Sequence, residues 1–332
     1  MIISRTPFRI SFFGGGTDFP DWYITNNGNV ISTTINKYCY INIRKLPPFF
    51  NYKYNLRYGS VETVNKINEI KHPSIKHCLL NFKNIDHGLE IVHNADIPGS
   101  SGIGSSSAFT VGLLHCLYFL SNNIPSKKEL ALKAINIEQE KIKENVGSQD
   151  QTAVAFGGLN NIFFSKEKKI EVKPIPISFE NLEKFNKSLV IFFTGFTRNS
   201  SIISEEFIKN IPKNRNGLNE IASISYEAMS IFKNNKIDLK KMGKLLNETW
   251  KIKKKLSSLV SNNLVEDIYL KGIKLGAYGG KLMGAGGGGF VLFVVDPKHR
   301  ENFINNFSNL LHVPIKIDTT GSQIVYYSRE EL

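Results

Sequence analysis

The sequence predicts an α+β fold in two domains, and three observations point there. Segments rich in Val, Ile, Thr and aromatic residues are mixed with segments of helical period, without the regular strand–helix–strand alternation of a doubly wound sheet. Pro174-Ile175-Pro176 breaks the chain near its middle, because paired prolines rule out a continuing element. The chain is 332 residues long, enough for two ordinary domains or one large one with a real core. The expected domains are 1–174 and 175–332.

The elements follow in order. Met1–Phe13 alternates and ends at Gly14-Gly15-Gly16, a first strand. Asn29–Ile35, Tyr38–Arg44, Lys53–Arg57 and Leu89–Asn94 read as further strands, with a short helix near Ser74–Phe82. Ser105–Leu120 carries an apolar stripe through Phe109, Leu113, Leu117 and Leu120 and is expected to be an amphipathic helix. A second helix, Ser126–Glu144, opens on the capping box Ser126-x-x-Glu129. Leu159–Phe164 and Lys169–Pro174 return to strand. Beyond the prolines, Ser188–Thr194 is a strand and the chain is mostly helical to about Gly276. Phe290–Val295 reads as a buried strand, Lys298–Leu310 as a helix, and Ile315–Asp318 and Gln323–Tyr327 as strands.

Composition narrows the class. At 41% hydrophobic and 21% charged the chain is globular rather than disordered. Its apolar runs are too short to cross a bilayer, and Met1–Arg5 leads into a strand pattern rather than a secretory leader. Cys39, Cys78 and Cys116 form no CxxC pair, which argues against a disulfide framework or structural zinc and for a reducing, cytoplasmic setting. The net charge of +13 is spread along the chain, with short clusters only at Lys166–Lys169 and Lys251–Lys255. Such charge also attracts phosphorylated metabolites, and no RNP-like aromatic strand accompanies it, so neither nucleic acid nor membrane is expected as a partner.

Three loops carry chemistry. The first, Pro98-Gly99-Ser100-Ser101-Gly102-Ile103-Gly104-Ser105-Ser106-Ser107-Ala108, runs directly into a helix. Glycines let backbone amides approach an anion, and the helix N-terminus adds partial positive charge and free N–H groups. The loop is neither a Walker A sequence nor a GxGxxG after a strand. The second, Lys281–Phe290, places four consecutive glycines, Gly286 to Gly289, before a buried strand. Their entropic cost implies close approach to a ligand or to another backbone segment. The third, Arg5-x-Pro7-x-Arg9 through Asp18, ends a strand in glycines with Thr17 and Asp18 beyond, a pattern suited to sugar hydroxyls.

Together, in this order and at these separations, the loops resemble the three signature motifs of the GHMP small-molecule kinases. The resemblance spans nearly the whole chain, and Pro98-x-x-x-Gly102-Ile103-Gly104-Ser105-Ser106 is its most specific part. It implies a ribosomal-protein-S5-like N-terminal domain and a ferredoxin-like C-terminal domain. It further implies ATP and Mg2+ as cofactors, and a monomer or homodimer. By that match residues 98–107 hold the nucleotide phosphates, and Asp150, within Gly147-Ser148-Gln149-Asp150-Gln151, accepts the proton of the attacking hydroxyl. The reading of Asp150 as a cap on the helix Gln151–Phe156 stands beside that role. Arg9 takes the place of the family's cation next to the base. Glu138, twelve residues before Asp150, pairs with Ser106 as metal ligand, with Glu140 and Glu144 as alternatives. Gly15, Gly16, Thr17, Asp18, Arg198, Gly286 and Gly287 make up the substrate site.

The acceptor follows from the third loop. Galactokinase-like members carry Gly-Glu-His-Thr-Asp where this chain has Gly14-Gly15-Gly16-Thr17-Asp18. The latter form, like Thr194-Gly195-Phe196-Thr197-Arg198, resembles the branch that phosphorylates the C1 hydroxyl of a heptose 7-phosphate for nucleotide-activated heptose. A substrate phosphate calls for a cationic clamp, to which Lys37, Arg44 and Arg57 could contribute. The competing readings are a kinase for a free sugar, fucokinase- or galactokinase-like, and a non-catalytic sugar and ATP sensor on the same fold.

Overall fold

A computed structural model describes residues 1–82, 84–85, 87–197, 200–232 and 237–328. Its strands are Ile2–Phe13 (β1), Gly28–Lys45 (β2), Tyr54–Arg57 (β3), Val61–Val64 (β4), Leu89–Ala95 (β5), Asn160–Phe164 (β6), Ile170–Pro174 (β7), Leu189–Phe193 (β8), Gly279–Leu282 (β9), Phe290–Val294 (β10), Leu311–Val313 (β11), Ile317–Asp318 (β12) and Gln323–Tyr327 (β13). They form two sheets, and the α+β expectation holds.

The first sheet runs β13-β1-β2-β5-β3-β4, with β12 and β6 also on β2 and β7 on β6. Among the described residues, only β3 and β5 pair in parallel. The second sheet, β11-β8-β10-β9, is antiparallel throughout. The expected boundary at Pro174 falls where the chain leaves the first sheet. Residues 317–327, however, return to it through β12 on β2 and β13 on β1. A single cut at 174/175 therefore does not separate the two sheets.

Two strands expected at 29–35 and 38–44 are one. β2 is 18 residues long, and its register against β1 shifts between Pro7 and Phe8, which face Tyr38 and Ile35. Pro7 has no N–H for the ladder, and the irregularity beside it leaves Asn36 and Lys37 bulged. The bulge bends β2 so that its first part pairs with β6 and its last part with β5.

The helix Ser105–Leu120 lies across β1 and β2. It is not amphipathic as expected: residues 107–114 are buried without a break. The helices Pro73–Leu80, Lys127–Ile135 and Gln149–Phe156 cover its other sides, and a helix enclosed all round carries no polar face. At Gly112 the missing side chain lets Ser4 Oγ donate to the helix carbonyl at 2.9 Å. The capping box at Ser126 and Glu129 is formed, but the helix becomes π-helical over Asn136–Ile142, an irregularity that often marks function. The helix expected at 298–310 is a 3₁₀ turn, Pro297–His299, followed by Arg300–Asn305. Cys39, Cys78 and Cys116 are free and buried. Among the described residues, no helix is long and apolar enough to cross a membrane.

Candidate active site

A cleft of about 190 Å³ is lined by the end of β1, the 98–107 loop, residues 146–150, the helices Ser200–Asn210 and Leu239–Leu256, and residues 281–285. Its floor is an ion pair. Arg9, 4% exposed on β1, donates from Nε to Asp150 Oδ1 at 2.7 Å and from Nη2 to Oδ2 at 2.6 Å. Its Nη1 donates to the Gly102 carbonyl at 2.7 Å. This bidentate fork fixes both charges beside the phosphate loop. Asp150 stands in the first turn of its helix, whose N-cap residue is Ser148. The capping role expected as an alternative for Asp150 is thus not the one its side chain performs.

Asp18 faces the same cleft and is 1% exposed. It accepts from Gly16 N at 2.9 Å and Gln149 N at 3.4 Å. Burial pushes its carboxyl up to about 6, with the nearby Asp150 charge adding to the shift and the two N–H groups offsetting part of it. Gly15 and Gly16 also line the cleft, but Thr17 does not. Its buried hydroxyl donates to the Gly14 carbonyl at 2.7 Å and accepts from Asn29 N at 3.1 Å, so it shapes the loop instead of binding a sugar.

Of the phosphate loop, Ser100, Gly102, Gly104, Ser105, Ser106 and Ser107 face the cleft. Ser101 and Ile103 are buried behind it, and Ser101 Oγ donates to the Pro98 carbonyl at 2.8 Å. Gly104 is the N-cap of the helix Ser105–Leu120 and offers no side-chain cap. The first-turn N–H groups of a 16-residue helix are therefore presented at the cleft, where an anion satisfies them.

Glu138 lies on the π-helical segment and is fully buried. Its Oε2 accepts from Ser107 Oγ at 2.9 Å and from Gln151 Nε2, and its Oε1 is buried without a partner. Burial pushes this carboxyl up to about 7. The expected partner, Ser106, is instead exposed at the cleft mouth: one step along the helix turns Ser107 inward and Ser106 outward. A buried carboxylate with an orphaned oxygen, beside the hydroxyl of the cleft-lining Ser107, fits a hard divalent cation. No cluster of three or more His, Cys, Asp or Glu exists among the described residues, but magnesium draws its remaining ligands from phosphates and water.

The glycines after Lys281 serve packing. A Cβ on Gly284 (φ +68°) would sit 2.4 Å from Gly102 Cα, and one on Gly286 would sit 2.7 Å from Val260 Cα. Gly287 N donates to the Val260 carbonyl at 2.9 Å. Gly284 and Ala285 line the cleft, whereas Gly286 and Gly287, expected at the substrate, do not. The close approach is to backbone, and it locks this loop onto the phosphate loop. Replacing Gly284 by alanine is therefore expected to lower stability by roughly 2–4 kcal/mol, from left-handed strain and the overlap with Gly102. Denaturant unfolding measures this, and a midpoint equal to wild type would contradict it.

Lys37, Arg44 and Arg57 do not line the cleft; Arg44 pairs with Glu90 at 2.5 Å. Arg198 lies outside the described residues. Two cations not expected from the sequence do face the cleft, Lys253 and Lys281. Lys281 is 4% exposed and donates to the Ser11 and Phe12 carbonyls at 2.9 and 3.0 Å; burial holds its ammonium well below the usual lysine range. Lys253 lies inside a run of lysines that reads as a solvated face. Its spacing from Leu246, Thr249 and Trp250, all buried, places it on the apolar stripe of that helix, and this is the signal that sets it apart.

Residues 70–158 match the family described as GHMP kinases N terminal domain, and residues 229–312 match GHMP kinases C terminal. The chain is 30% identical over 315 residues to a D-glycero-alpha-D-manno-heptose 7-phosphate kinase of Campylobacter jejuni, covering 91% of this chain and 92% of that protein. It is 25% identical to a galactokinase of Pyrococcus furiosus, covering 89% of each. Among solved structures, a D-glycero-D-manno-heptose 1-phosphate kinase from Bacteroides thetaiotaomicron superposes with a TM-score of 0.81 at 21% identity, over 99% of this chain and 100% of that one.

Proposed function

Since the chain belongs to the GHMP kinase family and is an ATP-dependent sugar kinase, we propose that its acceptor is the C1 hydroxyl of D-glycero-D-manno-heptose 7-phosphate. The product would be the 1,7-bisphosphate, a precursor of nucleotide-activated heptose. The observation that carries this reading is the pairing of a buried Asp18 with Asp150 across one cleft, joined to the full-length likeness to a kinase named for that substrate.

Asp18, together with Gly15 and Gly16, orients the sugar hydroxyls. The C1 oxygen attacks the γ-phosphorus of ATP, the bond to the ADP oxygen breaks, and Asp150 takes the hydroxyl proton. Arg9 holds Asp150 in place through its fork and keeps positive charge beside the developing alkoxide. The N–H groups at the start of the helix Ser105–Leu120 grip the ATP phosphates. Glu138 and Ser107, whose hydroxyl the carboxylate already accepts, would hold Mg2+ in place of the expected pair with Ser106, and the ion would screen charge on the terminal phosphates when bound.

A second reading, a kinase for an unphosphorylated sugar, is favoured by one observation: Lys37, Arg44 and Arg57 stand away from the cleft. A coupled kinase assay over free and phosphorylated sugars separates the two. Turnover of heptose 7-phosphate well above that of any free sugar is expected. Turnover of a free hexose without turnover of the heptose phosphate would overturn the assignment.

A further inference from the structure

The mechanism above leaves two cleft lysines unused, Lys253 and Lys281. Arg9 is committed to Asp150, and Lys281 is buried and bound to two carbonyls of β1. Lys253 is half-buried, lines the cleft, and donates to the Gly284 carbonyl. Among the described residues it pairs with no carboxylate within 4.0 Å, unlike its neighbour Lys254, which binds Glu266 at 2.6 Å. Lys253 therefore has no direct ion-pair partner among the described residues, and it lines the cleft.

Its place is fixed by a backbone junction. Gly284, whose carbonyl Lys253 holds, packs directly on Gly102 of the phosphate loop. The Gly102 carbonyl in turn receives Arg9 Nη1 at 2.7 Å. Arg9 and Lys253 thus approach the same Gly102–Gly284 junction, one from the first sheet and one from the helix Leu239–Leu256. The space between them lies beside the phosphate loop and next to Asp150.

We propose that Lys253 is a catalytic residue that, together with Arg9, neutralises the phosphoryl group as it passes from ATP to the sugar. The requirement is general: the transferring group spreads negative charge over three oxygens, and preorganised cations that meet it there lower the barrier. No proton moves through Lys253; its ammonium stays charged while Asp150 takes the hydroxyl proton. Burial first, and then the Arg9 charge, draw the ammonium down to about 8, with Asp18 and Asp150 opposing. An ammonium so crowded is relieved when a phosphoryl anion enters between the two cations. The role rests on the kinase activity and not on the identity of the sugar, so any acceptor that wild type phosphorylates serves in the test.

The test compares Lys253→Met, Lys253→Arg and the exposed control Lys251→Met. Lys253→Met is expected to lower kcat roughly 10²–10³-fold, as removal of one preorganised donor does, with both KM values within about threefold of wild type. Lys253→Arg should recover at least about tenfold of that loss, and Lys251→Met should match wild type. Binding gives a readout independent of turnover. Lys253→Met should leave the Kd of ADP unchanged but weaken the complex of ADP, magnesium and fluoroaluminate formed with the acceptor by a factor similar to the kcat loss. Two results would overturn the role: a Lys253→Met kcat within about threefold of wild type, or a loss confined to the KM of phosphorylated acceptors while free sugars are unaffected. The latter would make Lys253 a ground-state clamp for the acceptor's phosphate.

Discussion

Replacing Asp150 by asparagine is expected to reduce kcat by about 10²–10⁴-fold, the range of a positioned general base, while ADP binds as tightly as to wild type. Asparagine keeps the shape of the side chain, so the helix Gln149–Phe156 has no reason to move. It removes the proton acceptor and turns one of the two oxygens facing Arg9 into an NH₂ group. The fork of Arg9 then meets a donor where it had an acceptor, and one of its two bonds at 2.6 and 2.7 Å is lost. Arg9→Met should differ in kind. It deletes three hydrogen bonds, including the one to Gly102, and leaves Asp150 without its cation. That variant should lose nucleotide affinity and stability as well as rate. Single-turnover kinetics beside ADP titration distinguishes the two. If Asp150→Asn turned over at the wild-type rate, Asp150 would not be the base.

The Arg9–Asp150 pair is legible in the sequence, because both residues sit in segments whose resemblance fixes their place, although they are 141 positions apart. The bounds of the helix Ser105–Leu120 are legible to the residue, since the Gly104-Ser105 start is a backbone property written locally. What the sequence conceals is set by packing between distant segments. Ser106 and Ser107 are chemically equivalent in sequence, and only the helix rotation fixed by Phe109 and Val111 against the core decides which one meets Glu138. The glycines at 286 and 287 announce a close approach, but not that Val260 is the neighbour. Composition hides Lys253, which sits beside Lys251, Lys254 and Lys255 in a run that reads as solvated. The C-terminal strands are recognisable as strands, yet their return to β1 and β2, which joins Tyr327 to Ile2 and Ile317 to Ile35, leaves no local trace.

Replacing Asp18 by asparagine is expected to stabilise the free protein at pH 8 while disabling it. The carboxyl titrates near 6 in the folded chain against an ordinary value of 3.8. A raised acid pKa means the folded state holds the proton more tightly than the unfolded state. Stability is then greatest with Asp18 protonated, falls as pH rises from about 4 to about 6, and stays lower above that window. The ionised group costs roughly 3 kcal/mol at pH 8 by this linkage. Asparagine removes the cost and keeps an oxygen for Gly16 N, but it sets an NH₂ group opposite Gln149 N. The net gain is therefore smaller, about 1–2 kcal/mol at pH 8. It should shrink as pH falls and change sign toward pH 4, where protonated Asp18 no longer carries the cost and only the penalty of the misplaced NH₂ group remains. Meanwhile kcat/KM for the sugar should fall about 10- to 150-fold, the worth of a charged hydrogen bond to a hydroxyl. Thermal or urea unfolding at pH 4.5, 6 and 8 reads the first effect, and initial rates read the second. A variant less stable than wild type by the same margin at every pH would show Asp18 to be a structural anchor of the Gly14–Gly16 turn. The expected opposite trends identify it instead as a group held ionised in a buried place, at a cost in stability, because the substrate requires it there.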